Sequence, residues 1–299
     1  MARTPIFVKY LVCVKIVETL RVELHPIHCR LYDYLAQHTE TLPSRKGTKK
    51  ALRKNRILLN GKIASGAEFV HTNDEVIVLE EETIVKKVFP MLLQVCYEDE
   101  YLAIVVKPAG IPTSGNYYKT LLNALPHNLT QSAQADALPC PLPIHRLDRP
   151  TSGLILVAKT YSSRIELGKM LEQRAILKSY LAIAHGQLSG HGSLTSDING
   201  KMAKSLYNCI HSFHTKRFGW ATLLDLCPVT GRTHQLRIHC ARLGHPLFGD
   251  KTYADSVPTP KDKGLFLQAF KLSFAHPHTE EEIEIKLPPH NKFHWLQKN

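Results

Sequence analysis

The chain has 299 residues, enough for one large or two medium domains, and its formal net charge of +12 with a pI near 9.3 favours a phosphate-rich partner. Seven cysteines without a C-x-x-C pair argue against a disulfide framework or a zinc ribbon, and reduced cysteines predict a cytoplasmic protein. No apolar run is long enough to span a bilayer, so we expect no membrane partner.

The first predicted elements lie within residues 1–82, which we expect to form a small α/β domain that begins with a strand. Residues 30–38 predict a short helix, and Ser44 is a suitable N-cap for the helix that follows. Asn60-Gly61 between apolar residues predicts a hairpin, and residues 74–80 predict a closing strand.

The second of these helices is strongly basic, with no acid between residues 45 and 56. Its basic residues are Arg45, Lys46, Lys49, Lys50, Arg53, Lys54 and Arg56. Most of them share one helix face by i, i+3 and i, i+4 spacing, where like charges repel and weaken the isolated helix. A bound polyanion would offset that cost, so we interpret the face as an RNA-binding surface. The alternative is a solvated face, which is the usual role of a charge run.

The pieces RLxxYLA, SRxxxKKxLRxxRILLNGK and DEVIVL follow one another along this segment. In that order they resemble an S4 RNA-binding domain, and the resemblance implies that the basic helix contacts RNA. Two turns differ from the family pattern, because Asn55 and Asn73 stand where the family usually has glycine. Asn tolerates a left-handed backbone better than most residues, so we expect both turns to form.

Residues 83–91 are rich in charge, contain a proline and predict a linker. From 92 to 299, alternating strand and helix signals predict one larger domain. Within it, residues 92–108 predict two strands round a turn, and residues 153–160 predict a buried strand. The polar stretch 111–142, rich in proline and alanine, predicts a long loop near the functional site.

The stretch IHRLDRPTSG places one acid, Asp148, between Arg146 and Arg149. The neighbouring guanidinium groups favour an ionised carboxylate, which suits a nucleophile or a general base rather than a general acid. The plainer interpretation is a structural ion pair, because most such clusters are structural. The motif alone therefore leaves both interpretations open.

Two later stretches hold further polar groups in apolar surroundings. KSYLAIAHG places Tyr180 in a predicted strand, where a tyrosine is usually a core residue. In GRTHQLRIHC, the polar residues Gln235, Arg237 and His239 alternate with apolar ones, which predicts a strand with one polar face. The histidines invite a metal hypothesis, but no H-E-x-x-H motif or cysteine pair accompanies them, so we expect no metal.

Together with EDEYLAIVVKPAGI upstream, these stretches form an ordered set of long motifs. HRLDRxTSGLILVAK, KSYLAIxxG and GRTHQLRIHxxxLGHPxxGDxxY follow in sequence, so chance agreement is improbable. Over residues 94–277 the chain resembles the RluA family of RNA pseudouridine synthases. The resemblance implies an α+β fold whose catalytic domain has a central mixed or antiparallel sheet. It also implies an isomerase that converts uridine in RNA to pseudouridine.

The resemblance assigns the reacting groups by their positions in the motifs. Asp148 matches the essential aspartate, and Tyr180 matches the tyrosine that packs against the target base and assists proton removal. Arg237 matches the arginine that pairs with the aspartate, and Arg232 in the same motif stays open as an alternative.

Further residues are implied to hold or position the RNA. Arg146 matches the arginine that takes the place of the flipped base in the RNA stack. Leu236 or Ile238 would pack against the uracil ring, and Lys107 belongs to a motif that supports the site. Two supporting positions depart from the pattern, because Pro112-Thr113-Ser114 replaces the usual Val-His-Pro-like run and Gln268 stands where the family usually has histidine.

Pseudouridine formation conserves atoms, so we expect no cofactor, in agreement with the absence of P-loop and dinucleotide motifs. Asp148 could attack C1′ or C6 of the nucleotide, or remove a sugar proton, and each route needs an ionised carboxylate. The leading hypothesis is an RNA uridine isomerase acting on ribosomal RNA, with transfer RNA as the second choice and no obligate protein partner. The alternatives are an RNA-binding scaffold protein without catalysis and a base glycosylase.

Overall fold

The computed structural model describes residues 16–23, 29–42, 44–54, 56–79, 88–254, 257–260 and 262–298. These residues fall into two compact units, one within residues 1–84 and the other within residues 85–299. Each unit has its own buried apolar cluster, so each has a core that can stabilise it.

The first unit combines a small antiparallel sheet with two helices. Its elements are β1 (Ile16–Arg21), α1 (Leu31–His38), α2 (Arg45–Arg53), β2 (Ile57–Leu59), β3 (Lys62–Ile63) and β4 (Glu75–Leu79). The strands lie in the order β1-β4-β2-β3. Leu35 of α1 and Leu52 of α2 pack with Ile57 and Val76 of the sheet in one buried cluster. The predicted order of helix, helix, hairpin and strand is confirmed.

The capping and turn residues predicted for this unit adopt the expected conformations where the structure describes them. The Ser44 hydroxyl accepts a hydrogen bond from a backbone N–H of the first turn of α2 at 3.1 Å. Asn60 and Gly61 have φ angles of 49° and 75°, the positive values that a two-residue hairpin requires. Asn73 is left-handed, with φ of 75°, as expected for its turn, whereas Asn55 lies outside the described residues.

The cations of α2 and its C-cap lie on the solvent side. The exposed residues are Arg45, Lys46, Lys49, Lys50, Arg53 and Lys54. On the opposite side, Thr48, Ala51 and Leu52 are buried in the unit's core. Arg56 is half-buried and its Nε donates to the Leu79 carbonyl at 2.9 Å. A continuous basic face therefore exists, and its assignment to an S4-like domain stays a prediction.

The second unit is built on one mixed sheet, to which ten strands belong among the described residues. The strands are β5 (Gln94–Glu98), β6 (Leu102–Lys107), β7 (Ala137–Pro143), β8 (Ser152–Thr160), β9 (Leu177–His185), β10 (His191–Ile198), β11 (Lys201–Thr215), β12 (Gly219–Pro228), β13 (Leu267–Ala275) and β14 (Glu282–Lys286). The helices are α3 (Leu121–Asn128), α4 (Tyr161–Glu172), α5 (Gln235–Arg242) and α6 (Asn291–Lys298). The strand order is β10-β11-β12-β9-β13-β8-β6-β5, with β14 beside β13 and β7 beside β8. The β13–β8 pair is parallel and the other pairs are antiparallel, which confirms the expected α+β class.

Strand β8 forms the centre of this unit, and all of its residues are buried, as its apolar run predicts. Leu154 and Ile155 belong to different apolar clusters, so a core lies on each face of the sheet. Gly153 has φ of +122°, and a Cβ there would lie 2.1 Å from the Ala269 carbonyl oxygen. Only glycine lets β8 and β13 approach this closely.

The prediction of a strand at HQLRIH is wrong, because these residues open helix α5. Six alternating residues fit either a strand or a short helix that is buried nearly all round. Tertiary partners decide the outcome. The Arg237 guanidinium meets Asp250, and His239 Nδ1 lies 2.9 Å from the Ser205 hydroxyl.

The long loop predicted for 111–142 is also wrong in part, since α3 and β7 lie within it. Thr120 caps α3, where its hydroxyl accepts from the backbone N–H of Asn123 at 3.1 Å. The predicted linker 83–91 is described only from residue 88, and residues 88–93 form no helix or strand. In the described parts of the chain, no helix combines the length and apolarity that crossing a membrane requires.

Candidate active site

A cavity of about 870 Å³ opens in the second unit where three segments meet. Its walls include the loop between β7 and β8, the first residues of β9, and the loop that leads into α5. Asp148, Tyr180 and Arg237 all line this cavity, although they are far apart in the sequence. The fold therefore brings together the three residues that the motifs single out.

The loop that carries Asp148 is anchored through its buried neighbour Leu147. The Thr113 hydroxyl accepts from the Leu147 N–H at 3.1 Å and lies 3.0 Å from the Leu147 carbonyl oxygen, to which it can donate. The Thr151 N–H donates to the Asp148 carbonyl at 3.0 Å and closes a turn. With its backbone fixed at both ends, the Asp148 side chain is held in the cavity wall.

Lys107, at the end of β6, supports the same loop from the core. It is fully buried, and its ammonium donates to the Thr151 carbonyl at 2.7 Å. Burial lowers the pKa of Lys107 to about 8, while the charge of Asp148 acts in the opposite direction. Arg149 Nε donates to the Gly110 carbonyl at 2.8 Å. Arg149 therefore holds the loop, and among the described residues it forms no ion pair with Asp148.

Arg237 lies between two carboxylates. Its Nε and one terminal nitrogen donate to Asp250 at 2.8 and 2.7 Å, while its other terminal nitrogen lies 3.6 Å from Asp148. Burial opposes the ionisation of Asp250, but hydrogen bonds from Arg237 and from the backbone outweigh it and lower the Asp250 pKa. Asp250 thus fixes the guanidinium, and the guanidinium presents a second donor edge to Asp148.

His234 is the N-cap residue of α5, and its side chain lies next to Asp148. Its φ is 56°, a left-handed conformation that is uncommon outside glycine and asparagine. Its Nε2 lies 3.9 Å from Asp148, and its Nδ1 lies 3.0 Å from the Tyr253 hydroxyl. The strained backbone is offset by Gln235, whose side-chain oxygen accepts from the Arg232 N–H at 3.0 Å.

Tyr180 of β9 lines the same cavity with its side chain mostly buried. Burial raises the pKa of Tyr180 strongly, and the negative charge of Asp148 raises it further. The phenol therefore stays neutral, and its hydroxyl can donate or accept a proton in a hydrogen bond but does not act as a phenolate.

The other predicted residues differ in whether they line the cavity. Leu236 lines the cavity, whereas Ile238 lies on the same helix and does not. Arg232 lines the exposed rim, and within the described structure it forms no ion pair with Asp148. Of the two arginines left open by the motif, Arg237 is thus the one close to the carboxylate.

Sequence reasoning missed two residues of this site, Asp250 and His234. Both lie in the long third motif, so a signal was present, but their roles depend on the turn that sets α5 beside the GDKTY segment. Among the described residues, no group of three or more His, Cys, Asp or Glu side chains is suited to hold a metal ion.

Comparison with known proteins identifies the family of this chain. A family described as RNA pseudouridylate synthase matches residues 101–242. Ribosomal large subunit pseudouridine synthase D of Nitrosomonas europaea is 36% identical over 211 residues, which cover 62% of this chain and 59% of that protein. This match thus spans less than two thirds of that relative. Ribosomal large subunit pseudouridine synthase C of Rickettsia bellii is 31% identical over 301 residues, which cover 88% of this chain and 96% of that protein.

One solved structure resembles this chain in its fold. Human RNA pseudouridylate synthase domain containing 1 aligns with a TM-score of 0.54 and 24% identity, over 70% of this chain and 86% of that one. Over the aligned part, the chain thus shares the fold of that human protein. Because the Rickettsia protein is matched over almost its whole length, the chain belongs to the RNA pseudouridine synthases of the RluA family, isomerases that convert uridine in RNA to pseudouridine.

Proposed function

We propose that this chain converts specific uridines of ribosomal RNA to pseudouridine in the cavity around Asp148. The observation that carries the proposal is the position of Asp148, whose carboxylate lies 3.6 Å from the buried Arg237 guanidinium and 3.9 Å from His234. Relatives named as ribosomal large subunit pseudouridine synthases favour ribosomal RNA, and transfer RNA is the second choice. A cytoplasmic location stays a prediction.

The reaction breaks the N1–C1′ bond of uridine, turns the uracil and joins C5 to C1′. The C5 proton leaves and N1 gains one, so the product is an isomer and no oxidant or energy source is consumed. A uracil inside an RNA helix cannot reach Asp148, so the base must first leave the stack at a cost of a few kcal/mol. Catalysis therefore needs both a reactive carboxylate and a means of holding the flipped nucleotide.

Asp148 is the group that we assign to the bond rearrangement. Attack at C1′, attack at C6 and removal of a sugar proton all require an ionised carboxylate that is free of a tight salt bridge. Arg237 meets this need, because its bidentate bond goes to Asp250 and only its outer edge approaches Asp148. The pairing stabilises the negative charge without covering both carboxylate oxygens.

Tyr180 would pack against the uracil and help to remove the C5 proton. Since its phenol stays neutral, the hydroxyl can act as a relay that accepts the C5 proton while passing its own proton to the Asp148 carboxylate, which lines the same cavity. Leu236, at the start of α5, lines the cavity and supplies an apolar contact for the ring. In this scheme Tyr180 and Leu236 orient the base, and Asp148 reacts with the nucleotide at the sugar or at C6.

Arg146 would occupy the space that the flipped base leaves. It is exposed at the cavity, two residues before Asp148, and its guanidinium forms no hydrogen bond or ion pair with another described residue. A planar guanidinium stacks on bases and still binds phosphate, so it can offset part of the flipping cost. The first unit, proposed as an S4-like domain over residues 1–82, would bind RNA through the exposed cations of α2. Residues 83–91 would then link it to a catalytic domain over 92–299.

The main alternative is an RNA-binding scaffold protein without catalysis. The intact set of Asp148, Tyr180 and Arg237 in one cavity favours an enzyme, since a scaffold has no need to keep a buried arginine between two acids. A base glycosylase would also break the N1–C1′ bond, but it would release free uracil.

The test is the variant Asp148→Asn, which keeps the side-chain shape and removes the charge. Ribosomal and transfer RNA from a deletion strain would be incubated with wild-type protein or with the variant, and pseudouridines would be mapped by carbodiimide modification. We expect the wild type to restore specific sites and Asp148→Asn to restore none while still binding RNA. Asp197→Asn, at an exposed turn of the same unit, is the matched control and should retain activity. Pseudouridine formation by Asp148→Asn, or release of free uracil by the wild type, would overturn the proposal.

A further inference from the structure

The cavity extends past Tyr180 along β9 to Lys178, a residue without a role in the proposed mechanism. Lys178 lies two residues before Tyr180, so both side chains point to the same face of the strand, about 7 Å apart along it. Both residues line the cavity that holds Asp148. A long side chain at Lys178 can therefore reach whatever is joined to a base bound against Tyr180.

Lys178 is a half-buried cation without a direct ion-pair partner among the described residues. Within the described structure it forms no ion pair and no side-chain hydrogen bond, and burial lowers its pKa. Lys271 offers a contrast, because it lines the same cavity but its ammonium is held by Glu284 at 2.8 Å. An ammonium that lacks a direct partner is costly to bury in a partly dry cavity, and an anionic ligand would offset that cost.

A neighbouring imidazole, His145, cannot supply a negative charge, because an imidazole is either neutral or cationic. His145 lines the cavity, and its Nε2 accepts a hydrogen bond from the Leu156 backbone N–H at 3.2 Å. Burial, together with the positive charge of Lys178, lowers the pKa of His145 to about 3, so this imidazole stays neutral. His145 thus contributes a fixed wall next to Lys178, and the ammonium remains available.

We infer that Lys178 binds a phosphate of the RNA strand next to the flipped uridine and so sets the depth to which the nucleotide enters the cavity. This inference rests on the proposed function, since it takes a uridine bound between Asp148 and Tyr180 as given. A neutral base edge would leave the ammonium uncompensated, whereas a backbone phosphate supplies a full negative charge and strong acceptor oxygens. The phosphodiester is also the part of the strand that must follow a base drawn into the cavity.

The first test compares three variants on a short synthetic RNA stem-loop that carries the mapped target uridine. Lys178→Met keeps the aliphatic stem and removes the charge, Lys178→Arg keeps the charge, and Lys169→Met removes an exposed cation of α4 that is paired with Glu166 at 2.8 Å, outside the cavity. We expect Lys178→Met to lower kcat/KM about ten- to hundredfold, mainly through KM, as for the loss of a hydrogen bond to a charged group. Lys178→Arg should recover most of that loss, and Lys169→Met should stay within about twofold of the wild type.

The salt dependence separates a phosphate contact from a structural role. For Lys178→Met, the slope of log affinity against log salt concentration should decrease by about 0.7 to 0.9, the value for one lost phosphate contact. An unchanged slope, or an equal loss in Lys178→Met and Lys169→Met, would overturn the inference.

A second experiment identifies the phosphate. Neutral methylphosphonate links would replace, one at a time, the phosphates on either side of the target uridine. At one position the substitution should weaken the wild type about as much as Lys178→Met does, and should have little further effect on that variant. Additive effects at both positions would contradict the assignment. Failure of the proposed function is distinguishable, because the wild type would then form no pseudouridine on the unmodified RNA.

Discussion

Asp250 is the residue on which the electrostatics of the site depends most. It is buried, and it holds Arg237 through two hydrogen bonds at 2.8 and 2.7 Å. Its other contacts are with the backbone of the 252–253 turn, where the N–H groups of Thr252 and Tyr253 donate to it at 3.0 and 3.2 Å. If Asp250 were neutral, Arg237 would turn toward Asp148 and close a tight ion pair there, because a buried guanidinium keeps a partner.

We therefore predict that Asp250→Asn lowers both stability and activity. Loss of one partner of a buried ion pair costs about 3 kcal/mol, so the free energy of unfolding in urea should fall by about that amount. Thr252→Val is the control, since it removes one hydrogen bond from Arg237 and should cost only about 1 kcal/mol. At a temperature where both variants are folded, kcat should fall in Asp250→Asn and change little in Thr252→Val. If Asp250→Asn kept the wild-type kcat, Arg237 would not need Asp250 to hold it in position.

The motifs identified Asp148, Tyr180 and Arg237 because each lies inside a long ordered pattern, and the structure places all three in one cavity. The anchoring role of Asp250 was not predictable in this way. It depends on a contact between a helix and the turn after it, and such a contact requires that the helix be recognised first. Ile238 is a second example. In a strand, Leu236 and Ile238 would point to the same face, but in helix α5 only Leu236 lines the cavity.

Helix α5 shows why short elements are difficult to assign from sequence. Its first six residues alternate between polar and apolar, which is the pattern of a strand. In the structure nearly every side of the helix is buried, and its polar residues survive there because Gln235 bonds the Ser205 hydroxyl at 2.8 Å and Arg237 bonds Asp250. These partners belong to distant segments, so no local pattern reveals them.

The stretch 111–142 was misassigned for a different reason, which is its proline content. Prolines lie inside α3 and at alternate positions of β7, where they remove backbone donors and weaken the usual signals. Strand β7 nevertheless pairs with β8 at Leu142 and Pro143, next to the loop of Asp148. A signal for α3 was present in Thr120, which is followed by an apolar run and acts as its N-cap.

The C-terminal helix α6 gives a prediction about pH. Its Lys292 is buried against Phe266 and Phe293, and its ammonium donates to the Leu265 carbonyl. Burial lowers the pKa of Lys292 from 10.5 to about 8. Between these pH values the unfolded chain binds more protons than the folded one, so this lysine makes stability rise with pH.

The measurement is the free energy of unfolding in urea for the wild type and for Lys292→Met, from pH 7.5 to 10.5. Relative to the variant, the wild type should gain up to about 3 kcal/mol as the pH rises, since one pKa unit corresponds to 1.36 kcal/mol. Lys298→Met removes an exposed lysine of the same helix and should give a profile parallel to the wild type. Parallel profiles for Lys292→Met and the wild type would show that Lys292 has the same pKa in the folded and unfolded chain.

On the scale of the whole molecule, the two compact units have different proposed functions, which are catalysis and RNA binding. The cavity and its carboxylate belong to the second unit, and the basic face of α2 belongs to the first. A net charge of +12 attracts any polyanion over a long range, but only clustered cations that lack their own acidic partners can release counterions on binding. Lys46, Lys49 and Arg53 are exposed on α2, and no other described residue pairs with them. They are therefore the cations through which the first unit should bind RNA.

The triple variant Lys46→Gln, Lys49→Gln and Arg53→Gln should accordingly weaken RNA binding without impairing the chemistry. The slope of log affinity against log salt concentration should decrease by about 2 to 3, as expected for the loss of three phosphate contacts. At saturating RNA, kcat should equal that of the wild type, because the Asp148 cavity lies in the other unit. The control removes three exposed cations of the second unit through Lys119→Gln, Arg164→Gln and Lys216→Gln, and it should change the slope much less. Equal slopes for the two triple variants would mean that the basic face of α2 contributes only general charge, and the S4-like assignment would then be wrong.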